Sequence, residues 1–134
     1  MIEVELSKIK IDENRSEQVI VLKEKEGHRF LPVVIGISEV NAIKLKLSGI
    51  NPPRPLTHDL LVSVVQSLNA QIDRLVIDRL ENNTYYAKLH LKTKNGETLE
   101  IDARPSDGVA LAVRVEVPIF VEEAVLDEAG FSEN

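Results

Sequence analysis

The sequence of 134 residues contains no cysteine and no tryptophan, and it has only two tyrosines and three phenylalanines. The absence of cysteine excludes disulfide bonds, thiolate metal sites and a cysteine nucleophile. So few aromatic residues argue against a broad surface on which nucleic-acid bases stack. No apolar run approaches the roughly 18–20 residues that span a bilayer, and the first residues show no signal-peptide pattern. These absences predict a cytoplasmic protein that has no membrane partner.

The formal net charge of −6 is spread unevenly along the chain. Six of the 22 acidic residues lie in residues 115–134, which contain no Lys or Arg, so the rest of the chain has 16 acidic and 16 basic residues. This balance argues against strong nonspecific binding of nucleic acid but is compatible with a local basic groove. The length fits one domain with a real core. We place this single domain at residues 1–128 and an acidic C-terminal tail at residues 129–134.

Apolar alternation and turn signals predict a sheet built from hairpins. The change of apolar parity between Leu6 and Ile9 predicts a bulge near Ser7. A central strand is predicted at 72–80, and a short edge strand at 119–121. The other predicted strands are residues 2–11, 19–22, 30–35, 84–93 and 98–103.

Helical spacing of apolar residues predicts three helices, for which Ser38, Thr57 and Ser106 are the expected N-caps. The second helix has a wide apolar stripe, and the third is apolar nearly all round and is therefore expected to be the most buried. The acidic C-terminal end is expected to form one helical turn near Leu126 and then fray. The predicted fold class is α+β, an antiparallel or mixed β-sheet built from hairpins with about three packed α-helices.

Two charged turns stand at predicted helix starts, and we expect them to meet in one site. The first turn contains Asp102, Arg104, Ser106 and Asp107. A same-face ion pair and N-terminal capping would explain these residues structurally. The functional interpretation is that Arg104 offers its planar fork to a phosphate or carboxylate, while Asp102 orients that fork or holds a metal.

The second turn contains Arg54, Thr57, His58 and Asp59 before the next helix. Capping by Thr57 and dipole compensation by Asp59 are the structural interpretation. Functionally, His58 and Asp59 can supply a general base or metal ligands. Carboxylates that bind Mg²⁺ or Mn²⁺ suit phosphodiester cleavage, because the metal activates water and neutralises charge. Glu39 is a further candidate carboxylate, although helix-end compensation explains it equally well.

Several ordered motifs together resemble the bifunctional nuclease domain family, over about residues 3–128. The motifs are Leu31-Pro32-Val33-Val34-Ile35-Gly36, Glu39, Pro53-Arg54-Pro55-Leu56-Thr57-His58-Asp59-Leu60, Tyr85-Tyr86-Ala87, Ile101-Asp102-Ala103-Arg104-Pro105-Ser106-Asp107 and Pro118-Ile119-Phe120-Val121. The resemblance implies cleavage of both DNA and RNA, and it implies no organic cofactor. It supplies no catalytic assignment, so the residues at the two turns are candidates only.

The first hypothesis is a nuclease assisted by a divalent metal. His58, Asp59, Asp102 and Asp107 are its candidate catalytic residues, and Arg54, Thr57, Arg104 and Ser106 its candidate substrate-binding residues. Asp59, Asp102 and Asp107 are the candidate ligands of Mg²⁺ or Mn²⁺. The alternative is a non-catalytic regulatory module that binds nucleic acid or another anionic ligand. Short edge strands and an apolar C-terminal strand also predict a homodimer or a higher homo-oligomer.

Overall fold

Eight strands and four helices are formed by residues 1–12, 14 and 17–132, which are the residues that the computed structural model describes. In chain order they are β1 (Ile2–Lys10), β2 (Glu17–Glu24), β3 (Arg29–Gly36), α1 (Ile37–Leu47), α2 (Thr57–Ser67), β4 (Ala70–Glu81), β5 (Thr84–Thr93), β6 (Thr98–Ala103), α3 (Pro105–Val115), β7 (Ile119–Val121), α4 (Glu123–Ala129) and β8 (Phe131–Ser132). Residues 13, 15 and 16, between the predicted strands 2–11 and 19–22, lie outside the described residues. The predicted α+β class is confirmed.

The strands form one mixed sheet in the order β6-β5-β4-β7-β1-β2-β3-β8. All the pairs are antiparallel except β4 with β7. Helix α4 contacts both β3 and β4, although three strands separate these two in the sheet, so the sheet is curved. Its concave face packs against the helices and carries the core. The convex face carries polar and charged side chains on β4, β5 and β6.

Local turn chemistry explains the hairpins. The register of β1 against β2 shifts between Leu6 and Lys8, which confirms the bulge near Ser7. Asn82 and Asn83 have positive φ angles of 51° and 61°, a conformation that asparagine tolerates at tight turns. Gly96 has a φ of 84° in the turn between β5 and β6. The three-strand meander β4–β5–β6 therefore follows from its sequence.

Helix α3 is the most buried of the four helices, as its composition predicts. It begins with Pro105 at the first helical position, where a missing N–H costs nothing. A Cβ atom on Gly108 would clash with Cδ1 of Leu75, a fully buried residue of β4. Glycine at this position therefore allows the helix backbone to approach the sheet closely.

Strand β7 is the main correction to the predicted topology. We expected 119–121 to be a short edge strand, but it lies inside the sheet between β4 and β1. Ile119 and Val121 are buried in the core. The sequence pattern identifies a short apolar strand but not its neighbours, and a parallel partner requires a long connection that local periodicity cannot reveal.

The C-terminal segment is more ordered than we expected. The predicted helical turn near Leu126 is helix α4. Phe131 then pairs with Phe30 as part of β8, and their rings stack with centroids 5.6 Å apart. Residues 131 and 132 therefore belong to the sheet rather than to a frayed end. The division between a domain at 1–128 and a tail at 129–134 stays a prediction, and residues 133 and 134 lie outside the described part of the chain.

Candidate active site

Helices α1, α2 and α3 begin close to one another, and each has a carboxylate at its third position. These carboxylates are Glu39, Asp59 and Asp107. Acidic residues are favoured there because the backbone N–H groups of the first turn give the helix a positive end. Side-chain contacts between different helix starts bring the two charged turns of the sequence together, as predicted.

The predicted N-caps are wrong by one or two residues. The N-cap positions are Gly36, Leu56 and Arg104, none of which forms a side-chain capping bond. Ser38 and Ser106 thus lie at second helical positions, and Thr57 lies at a first. In α2 the residue at the third helical position caps the helix instead: Oδ2 of Asp59 accepts a hydrogen bond of 3.0 Å from the Leu56 N–H.

Asp107 is the centre of the arrangement. Its Oδ1 lies 3.1 Å from Nε2 of His58, and its Oδ2 accepts a hydrogen bond of 2.9 Å from Nε of Arg104. One carboxylate therefore joins a histidine of α2 to the arginine that precedes α3. We call His58, Asp107 and Arg104 the junction triad.

Arg104 is fixed on one edge and open on the other. Its Nη2 donates to Oε1 of Glu39 over 3.1 Å, and Glu39 itself is buried. The hydrogen bond and charge of Asp107 raise the pKa of Arg104 above its usual value, so the guanidinium is cationic. Its side chain is still 71% exposed, and Nη1 forms no hydrogen bond or ion pair with the described residues. The free edge can therefore donate to an anion such as a phosphate oxygen.

His58 is buried, with 7% of its surface exposed, and is oriented by Asp107. It lines a cleft of about 420 Å³ between α1 and α2, which we call the α1–α2 cleft. A carboxylate bonded to one imidazole nitrogen fixes the orientation of the ring and leaves the other nitrogen for proton transfer. The geometry is therefore that of a histidine prepared for acid–base chemistry. Thr57 lines the same cleft.

Asp59 has a different environment. Its Oδ1 forms a 2.7 Å ion pair with Nε of Arg114 near the end of α3, while its Oδ2 accepts the Leu56 N–H. Both oxygens are therefore engaged in holding the start of α2 against α3. These contacts favour a structural role for Asp59.

Asp102 is not brought to the junction triad. Its side chain is 79% exposed and lies 3.7 Å from Nζ of Lys88. The neighbours of Lys88 in β5, Ala87 and Leu89, are buried in the core, so alternation along the strand places Lys88 and Asp102 on the convex face. Strand β6 ends at Ala103, and after the turn Arg104 contacts Asp107 and Glu39 instead. The predicted grouping of Asp102 with Asp59 and Asp107 is therefore not formed.

The remaining two candidates have different surroundings. Arg54 is exposed and has no ion-pair partner in the described part of the chain. Ser106 is buried at the second position of α3 and lines a different cleft, between β3 and β5. Arg104 also lines that cleft. Thr57 and Ser106 thus border cavities on either side of the junction triad.

The donor set does not fit a protein-held Mg²⁺ or Mn²⁺ ion. Across residues 1–12, 14 and 17–132 there is no group of three or more His, Asp or Glu side chains arranged to hold a metal. The two nearer predicted ligands, Asp59 and Asp107, have both oxygens engaged by protein donors, and Asp102 is on the convex face. A hard cation needs several free oxygen ligands at one point.

Glu39 and Arg114 have roles that the sequence did not reveal. The sequence offered Glu39 as a further candidate carboxylate, which helix-end compensation explains equally well, and it gave no indication of a role for Arg114. Glu39 is 65 positions from Arg104 and Arg114 is 55 positions from Asp59, so neither pairing has a local pattern. The only available signal was an acidic residue in a first helical turn, which dipole compensation also explains.

Comparisons with known proteins agree with the motifs. The model of the Bifunctional nuclease domain matches residues 20–134. An uncharacterized protein of Mycobacterium tuberculosis (strain ATCC 25618 / H37Rv) is 43% identical over 128 residues, which cover 96% of this chain and 76% of that protein. Bifunctional nuclease 1 of Oryza sativa subsp. japonica is 24% identical over 120 residues, covering 87% of this chain and 36% of that protein. Bifunctional nuclease 2 of the same organism is 26% identical over 119 residues, covering 86% of this chain and 36% of that protein. The chain belongs to the bifunctional nuclease domain family.

Proposed function

We propose that this protein is a nuclease that hydrolyses phosphodiester bonds of DNA and RNA at the junction triad. The observation that carries the proposal is the pairing of an oriented, buried histidine with an exposed arginine through a single carboxylate. The family and the names of the plant relatives support the nuclease class. Histidine and arginine are suited to the two needs of the reaction, proton transfer and stabilisation of negative charge.

In the proposed mechanism the nucleophile is water, because DNA has no 2′-hydroxyl and the same site is to cleave both polymers. His58 takes a proton from the water, and Asp107 stabilises the resulting imidazolium. The water oxygen bonds to phosphorus while the bond from phosphorus to the leaving oxygen breaks. The imidazolium or solvent then protonates that oxygen. The free edge of Arg104 donates to the phosphate oxygens on which charge accumulates, and the exposed Arg54 contacts a neighbouring phosphate.

The participation of Mg²⁺ or Mn²⁺ stays a prediction, and we place no metal on Asp59, Asp102 or Asp107. A divalent ion would neutralise phosphate charge and polarise water. The junction triad can perform the proton transfer and the charge stabilisation with its own groups. An assay with and without EDTA therefore decides between a metal-assisted reaction and a reaction of the side chains alone.

The test is cleavage of labelled single-stranded DNA and RNA in Mg²⁺, Mn²⁺ or EDTA. We would compare the wild type with His58→Gln, and use His28→Gln as a matched control because His28 is exposed in the turn before β3. The proposal expects the His58 variant to lose about 10²–10⁴-fold in rate and the His28 variant to keep its activity. Equal rates in all three preparations would contradict it.

A second candidate is a non-catalytic regulatory module that binds nucleic acid or a smaller anionic ligand. The observation that favours it is the mutual neutralisation of the triad, since both oxygens of Asp107 and two nitrogens of Arg104 are already engaged. Binding of oligonucleotides without cleavage under all three ionic conditions would support this candidate over the nuclease.

We also propose that two copies of the chain associate through the outer face of α2. The apolar C-terminal strand β7 is not available for association, because it lies inside the sheet between β4 and β1. Helix α2 instead leaves an apolar stripe exposed, and this face consists of Leu60, Leu61, Val64 and Leu68. Contiguous exposed apolar surface of this kind is typical of interaction sites.

A second copy is the occupant that fits this stripe best. The only acidic residue of α2, Asp59, is paired with Arg114, and the helix has no Lys or Arg. Two identical faces can therefore meet about a two-fold axis without like-charge repulsion, whereas a nucleic acid would require basic residues. Val64→Glu with Leu68→Glu should yield a monomer in light scattering at micromolar concentration. Ile11→Glu, at an exposed apolar residue after β1, should keep the wild-type mass. A monomeric wild type would contradict the proposal.

No helix in the described ranges is long and apolar enough to cross a membrane. The cytoplasmic location stays a prediction.

A further inference from the structure

A second concave surface lies beside the junction triad, between the end of β3 and the start of β5. Its volume is about 620 Å³, which is within the range of small-molecule sites. The residues from Pro32 to Gly36 form one wall, and Asn83, Thr84 and Tyr85 form another. We call it the β3–β5 cleft.

The walls of this cleft are mainly apolar, with a few polar groups. Val19, Pro32 and Val34 supply aliphatic surface, and Val34 is itself exposed. Tyr85 is half-buried and packs partly against the core, which holds its side chain in place. The side chains of Asn83 and Thr84 can donate and accept hydrogen bonds. A flat, partly polar ring is the type of group that such walls accommodate.

Arg104 connects this cleft to the junction triad. It lines the cleft together with Pro105 and Ser106, and it also forms the bonds to Asp107 and Glu39 described above. A phosphate on the free edge of Arg104 would therefore lie at one end of the cleft. The exposed carboxylate of Glu17, also on the lining, disfavours a second phosphate farther along it. The charge pattern thus fits one phosphate with an uncharged group attached.

We infer that the β3–β5 cleft is a subsite for one unpaired nucleobase, held against Tyr85 while Arg104 contacts the adjacent phosphate. The inference rests on the proposed function and extends it to a substrate class, single-stranded DNA and RNA. A base inside a duplex is stacked and paired, and it reaches a concave pocket only after it leaves the helix. Stacking on a single aromatic ring discriminates little among bases, so the subsite selects for an unpaired strand rather than for a sequence.

The experiment measures the affinity of the full chain in EDTA for three labelled probes. They are a single-stranded oligonucleotide, the same length of abasic sugar-phosphate backbone, and the duplex. The informative variants are Tyr85→Ala and Tyr85→Leu, the second of which keeps apolar packing but has no ring. Tyr85→Phe keeps the ring, and Tyr86→Ala is the matched control because Tyr86 is adjacent and stacks with Arg79 instead.

The inference expects both ring-removing variants to bind the single strand about 5- to 150-fold more weakly, the range of base–aromatic stacking. Binding of the abasic probe should be unchanged in every variant, and Tyr85→Phe and Tyr86→Ala should resemble the wild type. An equal loss on the abasic probe, or no loss in Tyr85→Leu, would overturn the subsite. Binding that depends on Tyr85 without any cleavage by the wild type would retain the subsite and reject the nuclease. Cleavage by the wild type, together with binding that does not depend on Tyr85, would retain the nuclease and reject the subsite.

Discussion

His58 and Asp107 lie 49 residues apart in the sequence, and the contact of 3.1 Å between Nε2 and Oδ1 joins the starts of α2 and α3. The carboxylate holds the imidazole in a fixed orientation as long as both helices keep their positions. The pair should therefore act as a unit in catalysis, and its two members should not contribute independently.

Kinetics of single and double variants test this coupling. His58→Gln and Asp107→Asn should each lower kcat by about 10²–10⁴-fold, and the double variant should lose little more than the more damaging single one. The measurement is a double-mutant cycle on kcat with a single-stranded substrate. Losses that multiply in the double variant would show that the two residues act separately.

Arg104 should be sensitive even to replacement by another cation. Arg104→Lys keeps a positive charge but loses the planar fork, one edge of which binds Asp107 and Glu39 while the other is free. We expect kcat/KM to fall by about 10- to 100-fold, the equivalent of one charge-assisted hydrogen bond. Arg79→Lys, at an exposed arginine of β4, is the control and should change kcat/KM little. Full activity in Arg104→Lys would show that charge alone is required there.

Asp59 should matter for stability rather than for chemistry. Asp59→Ala removes both the cap on Leu56 and the ion pair with Arg114, so we expect the free energy of unfolding to fall by about 1–3 kcal/mol in urea titrations. Well below the melting temperature, kcat should stay within about threefold of the wild type, because the junction triad is intact. A loss of kcat as large as that of His58→Gln would show that Asp59 is a catalytic residue.

Glu24 provides a test of stability against pH. It accepts hydrogen bonds of 2.9 Å from the side chain and the backbone N–H of Arg29, and these lower its pKa from 4.5 to about 2. The folded pKa is below the unfolded one, so the stabilisation is present above about pH 4.5 and is lost as the pH falls towards 2. We assign this stabilisation about 1–2 kcal/mol. The value is less than the full pKa shift implies, because the pair of Glu24 and Arg29 is partly solvated.

Glu24→Gln should therefore be less stable than the wild type at pH 7, and the difference should shrink as the pH falls from 4.5 to about 2. Urea titrations across this interval measure it, with Glu26→Gln as an exposed control. A difference that is constant with pH would show that ionisation of Glu24 is not its source.

The features predicted correctly from the sequence are those with local causes. The bulge near Ser7 follows from a change of apolar parity, and the hairpins follow from apolar alternation and from turn residues such as Asn95 and Gly96. The burial of α3 follows from apolar residues on all its sides. In each case the neighbouring residues in the chain contain the information.

The features that were missed have distant causes. Strand β7 lies inside the sheet because of partners in β1 and β4, which are far away in sequence. Asp102 is only five residues from Asp107, yet the end of β6 places the two on different sides of the sheet. The sequence shows a wide apolar stripe on α2 but not which part of it is covered, and the structure leaves Leu60 and Leu68 exposed. None of these relationships can be predicted from the spacing of residues along a short stretch of the chain.

The most direct measurement compares Asp102→Asn with Asp107→Asn in single-turnover cleavage of one labelled single-stranded DNA. The two substitutions are chemically identical and differ only in which face of the sheet they change. We predict that Asp107→Asn loses about 10²–10⁴-fold in the cleavage rate while Asp102→Asn retains nearly all of it, with both proteins equally folded by circular dichroism. Equal loss in the two variants, or loss only in Asp102→Asn, would contradict the assignment of the active site to the junction triad.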